Sequence, residues 1–202
     1  MKVNILKGVL TFFDVGNKME SEVMIMNICV FGASSDAIDP KYIEAGEILG
    51  RAMASKGHTL VFGGGATGLM GAVCRGISEK GGESIGVAPT FFDKPGVLVQ
   101  DCTEFYFTET MRERKELMDQ KSEAFIMTPG GIGTMEEFFE IFTLRQLERH
   151  EKPIGILNVG GYYDELISML THTAEQGFMD MKCMDMLCVS EDPEELLKMM
   201  ER

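Results

Sequence analysis

The sequence predicts an α/β fold, a doubly wound parallel sheet of about seven strands with helices on both faces. Short apolar runs alternate with helix-like segments. Most of these runs are continuously apolar, which is typical of strands buried on both faces. Right-handed crossovers between such strands follow from their twist. The runs are Asn27–Phe31, Thr59–Phe62, Ser84–Ala88, Glu104–Phe107, Ala124–Thr128, Pro153–Leu157 and Met186–Val189.

The helices between these runs carry residues that favour helix ends. Asp39-Pro40 and Asp192-Pro193 each place a capping carboxylate before a proline at the first helical position. Gly57 ends the first helix, and Gly81-Gly82 ends the helix that begins near Gly68. Because ligands of such sheets bind at the carboxyl ends of the strands, the loops that follow the strands are the candidate sites.

The composition indicates one globular domain, residues 27–202, which binds a small molecule. The net charge of −13 argues against a nucleic acid polymer as partner, since such binding requires a basic face. The five cysteines and three histidines are scattered, so we expect neither disulfides nor a bound metal. No apolar run is long enough to span a membrane, so we expect a cytoplasmic protein without membrane contact. Residues 1–26 are either a loosely packed extension or sequence upstream of the true start.

Two of the loops that follow strands contain small residues suited to a polar ligand. Gly32-Ala33-Ser34-Ser35 offers two hydroxyl groups, although a tight turn ahead of the Asp39 cap explains it equally well. The segment from Gly63 to Gly71 matches the G-x-G-x-x-G pattern of dinucleotide sites. It follows the second strand rather than the first, and no carboxylate stands near Pro89-Thr90 to bind a ribose. These residues therefore disfavour NAD or NADP as a ligand.

The most informative loop joins the fifth strand to the helical segment Met135–Leu147. Its sequence is Pro129-Gly130-Gly131-Ile132-Gly133-Thr134-Met135-Glu136-Glu137. Backbone N–H groups and the positive end of a helix dipole converge at such a junction, which predicts a phosphate site. Glu136 and Glu137 fall in the first turn of the predicted helix, where they would repel an anion. Glu137 is therefore either a catalytic carboxylate or the partner of Thr134 in a capping box.

Three cations open the helix that precedes the fifth strand, in the segment Thr110-Met111-Arg112-Glu113-Arg114-Lys115. Cations at a helix N-terminus oppose the dipole, so this cluster is predicted to serve a function. In so acidic a chain it is the expected place to hold a phosphate. The alternative is a solvated face in which the cations pair with Glu113 and Glu116.

Together these motifs resemble the Lonely Guy (LOG) family, which are phosphoribohydrolases of cytokinin riboside 5′-monophosphates. The resemblance extends from about Asn27 to the C-terminus. Its motifs are Gly63-Gly64-Gly65-x-x-Gly68-Leu69-Met70-Gly71, Met111-x-Glu113-Arg114-Lys115, Pro129-Gly130-Gly131-x-Gly133-Thr134-x-x-Glu137 and Asn158-Val159-x-Gly161-Tyr162-Tyr163-Asp164.

The resemblance implies a Rossmann-like fold, a homodimer, and hydrolysis of the N-glycosidic bond between N6-substituted adenine and ribose 5-phosphate without a cofactor. It implies Glu137 and Arg114 as the catalytic residues. It also implies a substrate-binding set, which consists of Gly32, Ser34, Gly64, Gly65, Met111, Lys115, Pro129, Gly130, Gly131, Gly133 and Thr134. The family's old label, lysine decarboxylase, has no support in these residues, because no Schiff-base lysine with an acidic partner for pyridoxal phosphate can be identified.

A carboxylate beside the ribose fits this reaction because glycosidic cleavage develops positive charge on the sugar. Arg114 either holds Glu137 ionised or binds the phosphate. Two positions depart from the family pattern. Gly32-Ala33-Ser34-Ser35 replaces the usual Cys-Gly-Ser-Ser, which leaves the shape of the adenine pocket open, and Arg112 replaces a histidine.

Two other functions remain open on the sequence alone. One is a nucleotide-binding sensor without catalysis, and the other is a glycosidase for a different nucleoside monophosphate. The loop from Thr90 to Asp101, which contains Phe91 and Phe92, is either part of the base pocket or an ordinary surface loop. The apolar helix around Phe138 to Leu144 is explained by a dimer seam or by core packing.

Overall fold

The computed structural model describes residues 24–201 and confirms the predicted α/β fold with seven parallel strands. Each predicted strand is present, with its ends shifted by at most one residue. The expectation for residues 1–26 lies outside the described residues, apart from positions 24–26. Within the described part of the chain, no helix combines the length and apolar character needed to cross a bilayer.

The strands and helices alternate along the chain. The strands are β1 Asn27–Phe31, β2 Thr59–Phe62, β3 Ser84–Pro89, β4 Glu104–Thr108, β5 Ala124–Met127, β6 Ile154–Leu157 and β7 Leu187–Ser190. The helices are α1 Pro40–Ser55, α2 Gly68–Glu79, α3 Met111–Lys121, α4 Ile132–Gln146, α5 Asp164–Glu175 and α6 Pro193–Met200. Asp39 and Asp192 cap α1 and α6 as predicted, and their carboxylates accept from Lys41 N–H and Glu195 N–H.

The strand order places a crevice at the carboxyl ends of β1 and β5. The order is β4-β3-β2-β1-β5-β6-β7, so β1 pairs with both β2 and β5. The winding of the chain reverses between β1 and β5, and the loops that leave these two strands diverge. Such a switch point is where doubly wound sheets bind their ligands.

Side chains of the central strands alternate between two cores, one on each face of the sheet. Ile28 and Val30 pack in the cluster that includes buried residues of α1, α2 and α6. Cys29 and Phe31 pack in the cluster that includes buried residues of α3, α4 and α5. Phe138 of α4 is 1% exposed in this second core, so core packing accounts for its position.

Helix α4 begins earlier than the sequence predicts, and this overturns two expectations. Gly131 is its N-cap residue and no side chain caps it, so Glu136 and Glu137 lie beyond the first turn. The capping-box alternative for Thr134 and Glu137 is therefore wrong, because Thr134 is inside the helix. Glycine is well tolerated at an N-cap, which allows the helix to begin after Gly131.

The capping box lies at the start of α3 instead. Thr110 accepts a hydrogen bond from Glu113 N–H, and the Glu113 carboxylate accepts from Thr110 N–H. Glu113 therefore stabilises the helix terminus. The alternative in which Glu113 pairs with the neighbouring cations is not what the structure shows.

Candidate active site

A cavity of about 490 Å³ lies at the crevice between β1 and β5. The loops that follow β1, β2 and β5 form its walls, together with the start of α3 and the loop that follows β3. Most of the predicted site residues line it: Gly32, Ser34, Gly65, Met111, Arg114, Gly131, Gly133, Thr134 and Glu137. The topology thus brings together residues that are far apart in the sequence.

Four predicted site residues do not line this cavity. Gly64 has a φ of +73° and packs against the ring of Phe105. Pro129 and Gly130 are buried behind the turn. The Lys115 ammonium group contacts the carboxylates of Glu136 and Glu140 on α4, so its charge is directed along the α3–α4 face.

The N-termini of α2 and α4 lie at the crevice, and they differ in whether a side chain of the protein binds their N–H groups. At α2, the Gly68 N–H donates to the carboxylate of Asp36 at 2.7 Å, so a negative group of the protein already occupies this terminus. At α4, no side chain among residues 24–201 caps the terminus, and Gly131, Ile132 and Gly133 are exposed. The first N–H groups of a helix have no partner within it, so the open α4 terminus is the one that favours an external anion.

Arg114 and Glu137 form an ion pair across the cavity floor. Nη1 of Arg114 lies 2.5 Å from Oε1 of Glu137, and the two side chains are only 8% and 12% exposed. Arg114 Nε also donates to the Val87 carbonyl at 3.2 Å, which ties the guanidinium to β3. A side chain at position 63 would collide with this guanidinium, because a Cβ on Gly63 would lie 2.2 Å from Arg114 Nη2.

Burial raises the pKa of Glu137 above the ordinary value of a glutamate, although the Arg114 guanidinium acts in the opposite direction. The ionised carboxylate is therefore poorly solvated by water and is held mainly by one cation. A charge in such a water-poor site interacts more strongly with a developing positive charge than it would in water. The pair is thus suited to stabilise a cationic transition state.

Part of the cavity wall is apolar. It consists of Met70, Phe92, Val97, Leu98 and Met111. The loop that supplies three of these residues is fixed to the β2 loop, since Ala66 N–H donates to the Val97 carbonyl and Val99 N–H to the Gly64 carbonyl, each at 2.9 Å. The loop from Thr90 to Asp101 therefore belongs to the cavity. The sequence signal for it was the cluster of apolar residues in a loop that follows a strand.

Comparison with known proteins identifies the family. Residues 70–200 match the family model described as possible lysine decarboxylase. The chain is 38% identical over 175 residues to the probable cytokinin riboside 5′-monophosphate phosphoribohydrolase LOGL1 of Oryza sativa subsp. japonica, covering 87% of this chain and 78% of the relative. It is also 37% identical over 183 residues to the cytokinin riboside 5′-monophosphate phosphoribohydrolase LOG1 of Arabidopsis thaliana, covering 91% of this chain and 86% of the relative. The chain belongs to the LOG family.

Solved structures support the fold. The molybdenum cofactor binding protein from Rippkaea orientalis superposes with a TM-score of 0.67 at 19% identity, covering 87% of this chain and 95% of that one. The molybdenum cofactor carrier protein of Chlamydomonas reinhardtii gives a TM-score of 0.66 at 20% identity, covering 87% and 96%. At this identity the likeness concerns the arrangement of the chain alone.

The site of this LOG family member does not suit the chemistry in the description of the family model. A decarboxylase that uses pyridoxal phosphate needs a lysine able to form a Schiff base. The described residues that line the cavity include no lysine. The nearest cation cluster contributes Arg114, which cannot form a Schiff base, while Lys115 is paired with two glutamates.

Proposed function

We propose that this chain hydrolyses the N-glycosidic bond of N6-substituted adenosine 5′-monophosphates and releases the free base and ribose 5-phosphate. The names of its LOG relatives support this reaction class. The observation that carries the proposal is the Arg114–Glu137 pair beside the uncapped N-terminus of α4, both in one cavity. An anion site, a buried carboxylate and an apolar wall correspond to the phosphate, ribose and base of a nucleotide.

In this proposal the α4 turn holds the 5′-phosphate. Gly131, Gly133 and Thr134 line the cavity and belong to the end of α4 at which the helix dipole is positive. A phosphate bound there places the ribose over Glu137, one to two helical turns further along α4. The base then extends toward Phe92 and Leu98 on the apolar wall.

Glu137 acts on the sugar as the glycosidic bond lengthens. The ribose gains positive charge, which the carboxylate stabilises, and the same carboxylate orients a water toward the anomeric carbon. The water supplies a hydroxyl to that carbon and a proton to the leaving nitrogen of the base. Products and reactants therefore balance without a cofactor.

Arg114 is assigned to hold Glu137 rather than to carry the phosphate. Two of its donor groups are already used, one by Glu137 and one by the Val87 carbonyl. A guanidinium fixed in this way keeps the buried carboxylate ionised and in place.

Release of free base from isopentenyladenosine monophosphate and AMP, followed by chromatography, tests the proposal. We expect Glu137→Gln to lower kcat by about 100-fold or more, because an amide cannot supply the negative charge. The matched control is Glu136→Gln, which changes an adjacent exposed glutamate on α4 and is expected to retain activity.

Three results would contradict the proposal. Full activity in Glu137→Gln would remove the role of that carboxylate. Calorimetric binding of AMP without base release across a ribotide panel would indicate a sensor, and release of a different base would indicate another nucleotide glycosidase. The homodimer implied by the family and the cytoplasmic location expected from the sequence remain predictions, and light scattering of the purified protein tests the first.

A further inference from the structure

The segment from Asn158 to Asp164 has no part in the proposed chemistry, yet it contacts the phosphate turn directly. It follows β6, the neighbour of β5, so its start lies beside the loop that leaves β5. The Tyr162 hydroxyl donates to the Gly130 carbonyl at 2.9 Å. The Tyr163 hydroxyl donates to the Thr128 carbonyl at 2.8 Å.

A third hydrogen bond holds the carbonyl that lies between those of Thr128 and Gly130. The Ala33 N–H, from the loop after β1, donates to the Pro129 carbonyl at 3.1 Å. Three consecutive carbonyls of the turn, those of Thr128, Pro129 and Gly130, are thus held by donors from neighbouring loops. Buried carbonyls satisfied in this way fix the orientation of the peptide groups to which they belong.

An anchored carbonyl also fixes the direction of the N–H group in the same peptide group. A trans peptide group is planar, and its C=O and N–H point in opposite directions. The Gly130 carbonyl and the Gly131 N–H belong to one such group. Since Tyr162 binds the carbonyl from a position outside the cavity lining, the Gly131 N–H is directed to the other side, toward the cavity that Gly131 lines.

The two tyrosines are themselves held firmly. Tyr163 is 1% exposed, and its N–H donates to Asn158 Oδ1 at 2.7 Å. Asn158 Nδ2 donates to Asp164 Oδ1 at 2.8 Å, which closes the segment on itself. The Tyr162 ring packs edge-on against the rings of Tyr163 and Tyr42, with centroids 4.8 and 5.5 Å away. Their hydroxyls are therefore presented to the turn by a rigid support.

We propose that Tyr162 is a positioning residue that holds the Gly130 carbonyl so that the Gly131 N–H faces the substrate phosphate. Tyr163 supports this arrangement indirectly, because the Thr128 carbonyl that it binds shares its peptide group with a proline nitrogen, which carries no N–H. The inference rests on the proposed phosphate site at the start of α4. It assigns a task to the Asn158–Asp164 segment that involves no contact with the substrate. Loss of the Tyr162 hydroxyl frees the Gly130–Gly131 peptide group to rotate and weakens phosphate binding in particular.

Calorimetric titration of Tyr162→Phe with ribose 5-phosphate and with adenosine tests this role. We expect the affinity for ribose 5-phosphate to fall about 3- to 10-fold, the effect of one hydrogen bond, while that for adenosine is unchanged. In turnover with AMP, KM should rise by a similar factor and kcat should stay the same, because phosphate binding is equal in ground and transition states. Tyr106→Phe is the matched control, since it removes a hydroxyl that hydrogen-bonds to Glu104 on β4, away from the turn.

The results of these titrations distinguish a failure of the positioning role from a failure of the proposed hydrolysis. Equal loss of affinity for both ligands, or unchanged affinity for ribose 5-phosphate in Tyr162→Phe, would overturn the positioning role. Selective loss of ribose 5-phosphate binding in a chain that releases no base would support the positioning role and sink the proposed hydrolysis. If the unaltered chain does not bind ribose 5-phosphate, both fall. Tyr162 is 39% exposed, so its substitution is expected to leave the melting temperature nearly unchanged, whereas Tyr163→Phe is a harsher second variant.

Discussion

At the scale of single residues, the ionisation of Glu137 is set by opposing influences. Burial raises its pKa and Glu136 adds to this, whereas Arg114 and Lys115 act in the opposite direction, and the net result is a raised pKa. Arg114 supplies most of the compensation through direct contact, while Lys115 acts from the neighbouring α3–α4 face. The ionisation of Glu137 is therefore sensitive to charges that do not line the cavity.

The pH dependence of kcat/KM follows from this. The proposed mechanism needs the carboxylate, so activity should fall as the pH decreases through a pKa that lies above the ordinary glutamate value of about 4.3. Lys115→Gln should move this acidic limb to still higher pH, because one stabilising cation is lost. Rates measured from pH 4 to 8 check this, and an acidic limb at or below the ordinary glutamate pKa would contradict it.

At the scale of secondary-structure elements, α1 and α2 pack closely because both carry glycines at their contact. A Cβ at Gly50 would lie 2.1 Å from the Val73 carbonyl oxygen, and one at Gly76 would lie 2.1 Å from that of Glu47. These obstacles are backbone atoms, which cannot move without shifting a helix. The loops that flank the cavity are attached to these helices, so their spacing also affects the site.

Gly50→Ala is expected to lower the free energy of unfolding by roughly 1–3 kcal/mol, as overpacking does, despite the better helix propensity of alanine. Gly46→Ala is the matched control on α1, because its added Cβ would come no closer than 3.1 Å to the Ala72 Cβ and 3.2 Å to the side chain and the carbonyl oxygen of Leu69. That substitution should cost less. Urea denaturation of both variants measures the difference, and equal stability of the two would contradict the explanation.

The starts of α3 and α4 show why helix ends were harder to place than strands. Thr110-x-x-Glu113 and Thr134-x-x-Glu137 have the same spacing, and either matches a capping box. Only the first is one in the structure. Glu137 instead meets Arg114, a residue from the preceding helix, and a local pattern has no information about such a partner.

At the scale of the whole molecule, a charged contact joins the two ends of the domain. Glu201, after α6, binds the Lys56 ammonium at 2.7 Å and the His58 ring at 2.9 Å. His58 Nδ1 in turn accepts from the Met26 N–H, just before β1. Burial would raise the pKa of Glu201, but the hydrogen bonds from Lys56 and His58 outweigh it and lower that pKa.

The stability of the domain should therefore depend on pH in a defined direction. A carboxyl group whose folded pKa is lowered stabilises the fold above its unfolded pKa, and this contribution is lost as the pH falls through the folded value. Burial lowers the pKa of His58, so stability also declines as the pH drops below about 6.5, where the unfolded histidine takes up a proton. Glu201→Gln should be less stable than the unaltered chain at pH 7, and the difference should shrink toward pH 3.

Urea denaturation at several pH values measures this, with Glu175→Gln as the control, since Glu175 is an exposed glutamate at the end of α5. A difference between Glu201→Gln and the unaltered chain that persists unchanged at pH 3 would contradict an ionic origin. Equal effects of the two substitutions at pH 7 would show that the contact contributes nothing measurable.

The sequence by itself determined the order and type of the elements and the loops that form the site. Buried strands need continuous apolar runs, and capping residues and glycines mark helix ends through local backbone chemistry, so both can be recognised within a few residues. The same locality made the glycine turn after β5 recognisable as a candidate phosphate site. The family motifs then singled out Glu137 and Arg114.

Only the tertiary structure decided which of those residues line the cavity and which make other contacts. It directs Arg114 into the cavity and Lys115 toward α4, although they are adjacent in the sequence. It fills the α2 terminus with Asp36, leaves the α4 terminus open, and adds the apolar wall around Phe92. The reason is that each of these outcomes depends on which groups meet across the switch point between β1 and β5, and the energies of such contacts are set by packing and burial rather than by neighbours along the chain.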